Sequence, residues 1–250
     1  MKKISLFICA ALLCAGMCFG ATAGKGVFSV AANKTVQFAN TVSVYNTNDL
    51  IQWAHLSDVT DAGWEVLTGA EWSYLLASGR AYAYDLNALG TVDGKNGLII
   101  LPDGWVQPDG VPAYRTVDEA GVGYEYNVYT AEEWTVMADA GAVFLPCGGY
   151  GYEDEQGYHV EDAEDHGAYW AADEHDATHA NCLRFNLDNI HDLNYALKTN
   201  YYSVILVSPV PPTGLTVERM NVERMKVIRN GQVVIVHEGK AVNLLGQEIK

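Results

Sequence analysis

The sequence predicts an α+β protein in which two tryptophan-bearing helices clamp a sheet. Two observations carry that prediction. A helix-then-strand unit occurs twice, and short alternating apolar runs bounded by turn residues recur along the chain. A third observation divides the chain: Pro209-Val210-Pro211-Pro212-Thr213-Gly214 reads as a linker ahead of a small β-rich tail.

The elements follow in order. Phe28 and Val30 alternate on one arm of an N-terminal hairpin, and Val36 and Phe38 on the other, with Asn33 and Lys34 at its turn. Asn40 to Val66 is less regular and holds Trp53 and Trp64. The first repeated unit opens with Thr68-x-x-Glu71-Trp72 and reaches Gly79; the second opens with Thr130-x-x-Glu133-Trp134 and reaches Gly141. In both, Thr and Glu three apart form a capping box that satisfies orphan N–H groups at a helix start. The glycine stands seven residues after the tryptophan, where it can end the helix in a left-handed conformation. Helices are expected over about 69–78 and 131–140, burying Trp72 and Trp134. Each unit leads to an apolar run closed by Leu-Pro, Leu98 to Pro102 and Val143 to Pro146, which suits a buried strand.

Between the units, Arg80 to Leu89 alternates Tyr82, Tyr84 and Leu86 like a strand, and Asp93-Gly94 marks a turn. Pro102 to Tyr126 is a long polar loop, and loops of that length in a compact domain are functional or disordered. Glu153 to Asp176 is the most acidic stretch and reads as loop around a short strand at Ala168-Tyr169-Trp170. Asn181 to Phe185 and Tyr201 to Val207 are two further strands. In the tail, Val227-Ile228, Val233 to Val236 and Ala241 to Leu245 form a meander turning at Asn230-Gly231 and Glu238-Gly239.

The N-terminus reads as a cleaved secretory signal. Lys2 and Lys3 precede the apolar segment Ile4 to Phe19, and Ala21-Thr22-Ala23 is a small-x-small site; a cut after Gly20 fits as well. No other segment suits a membrane span. The boundaries are then a signal at 1–23, a domain at 24–208, a linker at 209–216 and a tail at 217–250. Without the signal, Cys147 and Cys182 are the remaining cysteines. They could close a disulfide in an oxidising compartment, constraining the unfolded chain by about 3–4 kcal/mol, or stand as two buried thiols on neighbouring strands. Residues 24–216 carry seven basic and 27 acidic side chains, a balance of −20, while the tail carries six and four. So acidic a body argues against nucleic acid as a partner, because phosphate binding needs a basic footprint.

Several of these pieces, in this order, resemble the extracellular domains of Bacteroidetes and Fibrobacter known as the major paralogous domain. They are Phe28-Ser29-Val30 with Val36-Gln37-Phe38, Leu67-Thr68 with Glu71-Trp72, Gly97 to Trp105, Thr130 to Pro146, Gly167 to Trp170, Cys182 to Phe185 and Tyr202-Ser203-Val204. That family is related to the formylglycine-generating sulfatase-modifying domain and to C-type lectins. The resemblance covers about Gly26 to Ser208 and implies a C-type lectin-like fold: two helices flanking a twisted, mainly antiparallel sheet with long loops. It does not imply sulfatase-modifying activity, which uses a late cysteine pair, since no cysteine follows Cys182. Separately, Val227 to Lys250 is similar to the sorting tails of Bacteroidetes secreted proteins, which implies type IX secretion machinery as its partner. A small β appendage is the other reading of the tail.

Four histidines, His159, His166, His175 and His179, lie among the acidic residues, without an H-E-x-x-H signature. A solvated acidic loop accounts for them. Calcium is the metal the composition suits, because hard cations take carboxylate oxygens from irregular loops. The candidate ligands are Asp154, Glu161, Asp162 and Asp165, with Asp103, Asp109 and Asp118 as further oxygen donors. No nucleophile-elbow, P-loop or dinucleotide-binding signature occurs. The aromatics in or beside the loops, Trp105, Tyr114, Tyr126, Tyr150, Tyr152 and Tyr158, are the candidate ligand-binding residues, since aromatic faces beside carboxylates suit stacking and hydrogen bonding. The expectation is an exported, surface-associated, non-enzymatic protein that binds a glycan or a protein at the cell surface. Its alternatives are a structural surface component and a carboxylate-dependent hydrolase.

Overall fold

The computed structural model describes residues 22–40, 50–60, 63–116, 123–187, 189–210, 225–229, 232–237 and 240–242. The signal segment up to residue 21 and the two tail turns lie outside the described residues, as does Asp118. The arrangement is α+β and sheet-rich, with few and short helices. The chain divides into two units, Met1–Pro211 and Pro212–Lys250.

In the larger unit, β1 (Phe28–Ala31) and β2 (Lys34–Phe38) form a hairpin that turns at Ala32 and Asn33, one residue earlier than expected. β3 (Ile51–Gln52) and α1 (Leu56–Val59) follow. Next come α2 (Gly69–Ser73), β4 (Asn87–Val92) and β5 (Lys95–Ile100). The second repeat supplies α3 (Ala131–Asp139) and β7 (Val143–Pro146), preceded by β6 (Val128–Tyr129). Seven strands complete the unit: β8 (Tyr150–Asp154), β9 (Gly157–Glu161), β10 (Gly167–Glu174), β11 (His179–Asn186), β12 (Asn189–Leu197), β13 (Tyr201–Tyr202) and β14 (Val207–Val210). The smaller unit is an antiparallel sheet of β15 (Met225–Arg229), β16 (Gln232–His237) and β17 (Lys240–Val242).

Both capping boxes form. Thr68 Oγ1 accepts from the Glu71 N–H while Glu71 accepts from the Thr68 N–H, and Thr130 with Glu133 does the same. The helices then differ. α3 runs regularly and ends before Gly141 at φ +107°, a conformation that excludes most side chains. α2 widens into a π-helical turn, Tyr74–Ser78, and Gly79 sits at φ −104° rather than left-handed. A β-carbon at Gly79 would lie 2.0 Å from the Tyr74 ring, so packing against that ring is what requires glycine there.

Other expectations need correction. Residues 83–86 form a 3-10 turn, not a strand, because Tyr82 adopts a left-handed conformation that breaks the extended run. The acidic stretch is not a loop; it folds as the end of β8, all of β9 and all of β10. Local side-chain hydrogen bonds make its turns. Asp154 accepts from the Gln156 N–H, and Asp176 accepts from the N–H groups of Thr178 and His179. Pro209 and Val210 belong to β14, an edge strand where proline is tolerated. The pattern-based expectation omitted β12; the alternation of Leu193, Tyr195 and Leu197 is the signal that marks it.

Among the described residues of the larger unit, four sheets form, in the orders β1-β2-β14, β6-β4-β5-β7, β3-β13-β8-β9 and β10-β11-β12. Among the described strands all ladders are antiparallel except β4 with β6, and an isolated parallel bridge joins Tyr169 to Ser203. β5 and β7 separate two cores through their period of two. Leu98, Ile100 and Leu145 face the main core with Trp72, Phe38 and Trp170, whereas Ile99 and Phe144 face a smaller one with Met137, Tyr129 and Trp134. The two tryptophans therefore do not share an interior. Trp72 is fully buried, and Trp134 is half-buried.

Candidate functional site

The β8–β9 hairpin gathers more of the expected binding residues than any other described element. Alternation along β8 puts Tyr150, Tyr152 and Asp154 on one face, and the register sets Glu161 opposite Tyr150 and His159 opposite Tyr152. Both phenols converge on one carboxylate: Tyr150 donates to Glu161 Oε2 at 3.0 Å and Tyr152 to Oε1 at 2.8 Å. The Tyr152 and His159 rings stack at 5.4 Å, and His159 Nε2 lies 2.9 Å from Asp154 Oδ1. Tyr158 and Tyr201 meet edge to face at 4.9 Å across the other side, where the Tyr201 hydroxyl donates to Glu153 Oε1 at 2.7 Å. Gly151 makes this possible, since a β-carbon there would sit 2.8 Å from the Tyr158 ring. At the base, the Arg184 guanidinium lies 5.6 Å from the Tyr150 ring centre, and Arg184 Nε donates to His166 Nε2 at 3.3 Å.

The electrostatics follow from these contacts. Hydrogen bonds from Tyr152 and then Tyr150 hold the Glu161 carboxyl below the usual carboxylate range. The Gln156 N–H and His159 do the same for Asp154. The bond to Glu153, followed by burial, pushes the Tyr201 phenol up to about 12. Burial, then the Arg184 charge, lowers His166. The hairpin thus presents ionised acceptors, neutral phenols and aromatic faces on a rigid strand pair.

The remaining expected residues are elsewhere. Trp105 and Tyr114 pack against the smaller core, so the loop that carries them is folded onto the domain and does not display them freely. Tyr126 stands in a 3-10 turn at 124–126, 38 % exposed. The calcium set does not assemble. Asp154 and Glu161 are tied within the hairpin, Asp162 faces His166 at 3.9 Å, and Asp165 accepts the Tyr124 hydroxyl through its backbone carbonyl. Among the described residues no three His, Cys, Asp or Glu side chains group as a metal site requires. His175 and His179 flank Tyr195 instead, the first stacked on it at 4.0 Å.

Cys147 and Cys182 are free thiols, which corrects the disulfide alternative. Cys182 is buried in β11 opposite Trp170, whereas Cys147 follows β7 and lies 3.3 Å from the Tyr124 hydroxyl. Burial pushes both thiols up to about 12, which keeps them protonated at neutral pH. Sequence reasoning missed Tyr201 and Arg184; the adjacent Tyr201-Tyr202 pair at a strand was the available signal for the first.

A separate cleft of about 290 Å³ borders Trp134 and Phe144. Lys25 and Lys95 both line it, and Lys25 is paired with Asp139 at 2.8 Å. Among the described residues, no helix is long and apolar enough to cross a membrane. Compared with models of known protein families, with curated proteins and with solved structures, the chain gives no match.

Proposed function

We propose that this is an exported, surface-associated, non-enzymatic binding protein of C-type lectin-like architecture, and that it recognises a glycan through the β8–β9 hairpin. The observation that carries the reading is the convergence of Tyr150 and Tyr152 on Glu161, beside the stacked His159 ring. Sugars offer hydroxyl donors for such a carboxylate and C–H faces for the neighbouring rings. Glu161 and Asp154 are both held below their usual pKa, so neither suits a general acid at neutral pH, while both stay ionised acceptors for sugar hydroxyls. A glycan array followed by calorimetry tests the reading. Glu161→Gln and Tyr152→Ala are each expected to weaken binding about 3- to 10-fold, as the loss of one or two hydrogen bonds implies. Unchanged affinity in both variants removes the hairpin from the account.

A second reading, a structural surface component, is favoured by one observation. Leu193, Tyr195 and Leu197 are about half exposed in a row on β12, an edge strand of its sheet. Such edges template association. Concentration-dependent sedimentation that Tyr195→Lys abolishes would support it.

A further inference from the structure

We infer a second ligand site, independent of the hairpin, in the cleft beside Tyr82, and assign it to one neutral pyranose ring. The cleft measures about 500 Å³, within the range of small-molecule sites, and Tyr74, Tyr82 and Trp105 border it above Ser29, Asp103 and Arg80.

Tyr82 is the first reason. Its backbone is left-handed, at φ 60° and ψ 31°, a conformation that a β-carbon disfavours. The local turn needs that conformation, since Tyr82 is the third residue of the turn in which the Ala83 N–H donates to the Arg80 carbonyl at 3.3 Å. Glycine or asparagine would supply it with less strain. The ring does not repay the strain by packing. It is 78 % exposed, and among the described residues its side chain makes no hydrogen bond or ring contact. A strained residue with an uncovered aromatic face at a cleft mouth points to a ligand.

The floor is the second reason. The Arg80 side chain is 2 % exposed. It donates from Nε to the Leu75 carbonyl at 2.8 Å, from Nη1 to Leu101 at 2.7 Å and from Nη2 to Leu86 at 3.3 Å. These bonds tie three chain segments into one rigid base. Nη1 also meets Asp103 Oδ1 at 3.3 Å, while Asp103 Oδ2 accepts from the Ser29 N–H at 2.8 Å and the Ser29 hydroxyl at 2.5 Å. The Asp103 side chain remains 34 % exposed, and a carboxylate has about four acceptor positions, so one on Oδ1 is left for an incoming donor.

The charge balance selects the ligand class. Arg80 already neutralises Asp103, which weakens the attraction for a cation. The guanidinium is buried under its own hydrogen bonds, and the surrounding body is strongly acidic, which disfavours an anion. A neutral ring with hydroxyl donors and one apolar face satisfies the carboxylate and the aromatic walls together.

The test is calorimetric titration of the full chain with neutral hexasaccharides of β-1,4-glucan, β-1,3-glucan, xylan and α-mannan, comparing Tyr82→Gly, Tyr152→Ala and the unmodified protein. Tyr82→Gly is expected to weaken binding of at least one hexasaccharide about fivefold or more, the range of a lost aromatic contact. Its Tm should stay level or rise, because glycine accepts the left-handed turn. A Tm drop of more than about 5 °C would mean that the ring is structural and would overturn the inference. So would unchanged affinity in Tyr82→Gly, or no binding by any of the four sugars. If Tyr152→Ala alone weakens binding, the hairpin reading stands and this one fails; if Tyr82→Gly alone does so, the reverse holds.

Discussion

The two capping-box units begin alike and end in different places. Thr68-Glu71-Trp72-Gly79 and Thr130-Glu133-Trp134-Gly141 share residue types and spacing, and both form the same reciprocal cap. One tryptophan is then sealed in the main core, and the other sits half-buried over a smaller core on the far side of β5 and β7. One glycine makes room for the Tyr74 ring; the other supplies a positive φ. A local pattern therefore specifies how a helix starts, while the partner surface decides what its later residues are for.

Substitutions at matched positions would break or sharpen that comparison. The largest difference is expected at the tryptophans. Trp72→Ala should cost about 3–5 kcal/mol in urea denaturation, as a fully buried aromatic does. Trp134→Ala should cost about 1–3 kcal/mol, since that side chain is only partly buried. Equal losses would mean that the two cores act as one.

The glycines should come next, each alanine costing about 1–3 kcal/mol for a different reason. At Gly79 the added carbon meets the Tyr74 ring, so Tyr74→Ala in the same chain should restore much of the loss. At Gly141 it meets the Gly26 backbone, with Cα 2.8 Å away, at φ +107°, and no side-chain truncation should rescue it. A double-mutant cycle on thermal midpoints separates the two cases.

Similarity should return at the caps. Thr68→Ala and Thr130→Ala should each cost about 1 kcal/mol, and their difference should be smaller than that between the tryptophans.

The smallest effect is expected from pH. Lys34 joins Glu71 at 2.6 Å and also pairs with Glu65, which anchors the first unit to β2. Burial lowers its pKa, but the two hydrogen-bonded carboxylates outweigh burial and raise it above 10.5. A raised folded value means that the contribution is full below pH 10.5 and fades as pH climbs through the folded pKa. The pair is partly exposed, so the loss should stay below about 1 kcal/mol. Hydrogen exchange between pH 10 and 12, after correction for the intrinsic rate, should show α2 loosening relative to α3, and Lys34→Met should remove that dependence.

Much of the architecture was legible where the signal is local. The caps, the N-terminal hairpin and the Asp93-Gly94 turn, both of whose residues take positive φ, rest on interactions within a few residues. The errors fall where a distant partner intervenes. The acidic stretch looked like loop because its charges imply solvent, yet cross-strand pairs such as Tyr152 with His159 and Glu161 hold it as strands. The candidate site was half legible for the same reason. Tyr150, Tyr152, Tyr158, Asp154 and Glu161 lie on one hairpin, but Tyr201 reaches it from a distant part of the chain, and Trp105 and Tyr114 were drawn onto the smaller core.

By itself the sequence determined the α+β composition, the starts of both helices and the uneven charge of body and tail. These depend on backbone chemistry and on counting, and both are local. Only the tertiary structure decided which tryptophan is sealed, why each glycine is needed, that the two thiols remain apart, and that two phenols share one carboxylate. Each of those is a distance between side chains, set by sheet register and by packing across β5 and β7, and spacing along the chain does not encode it.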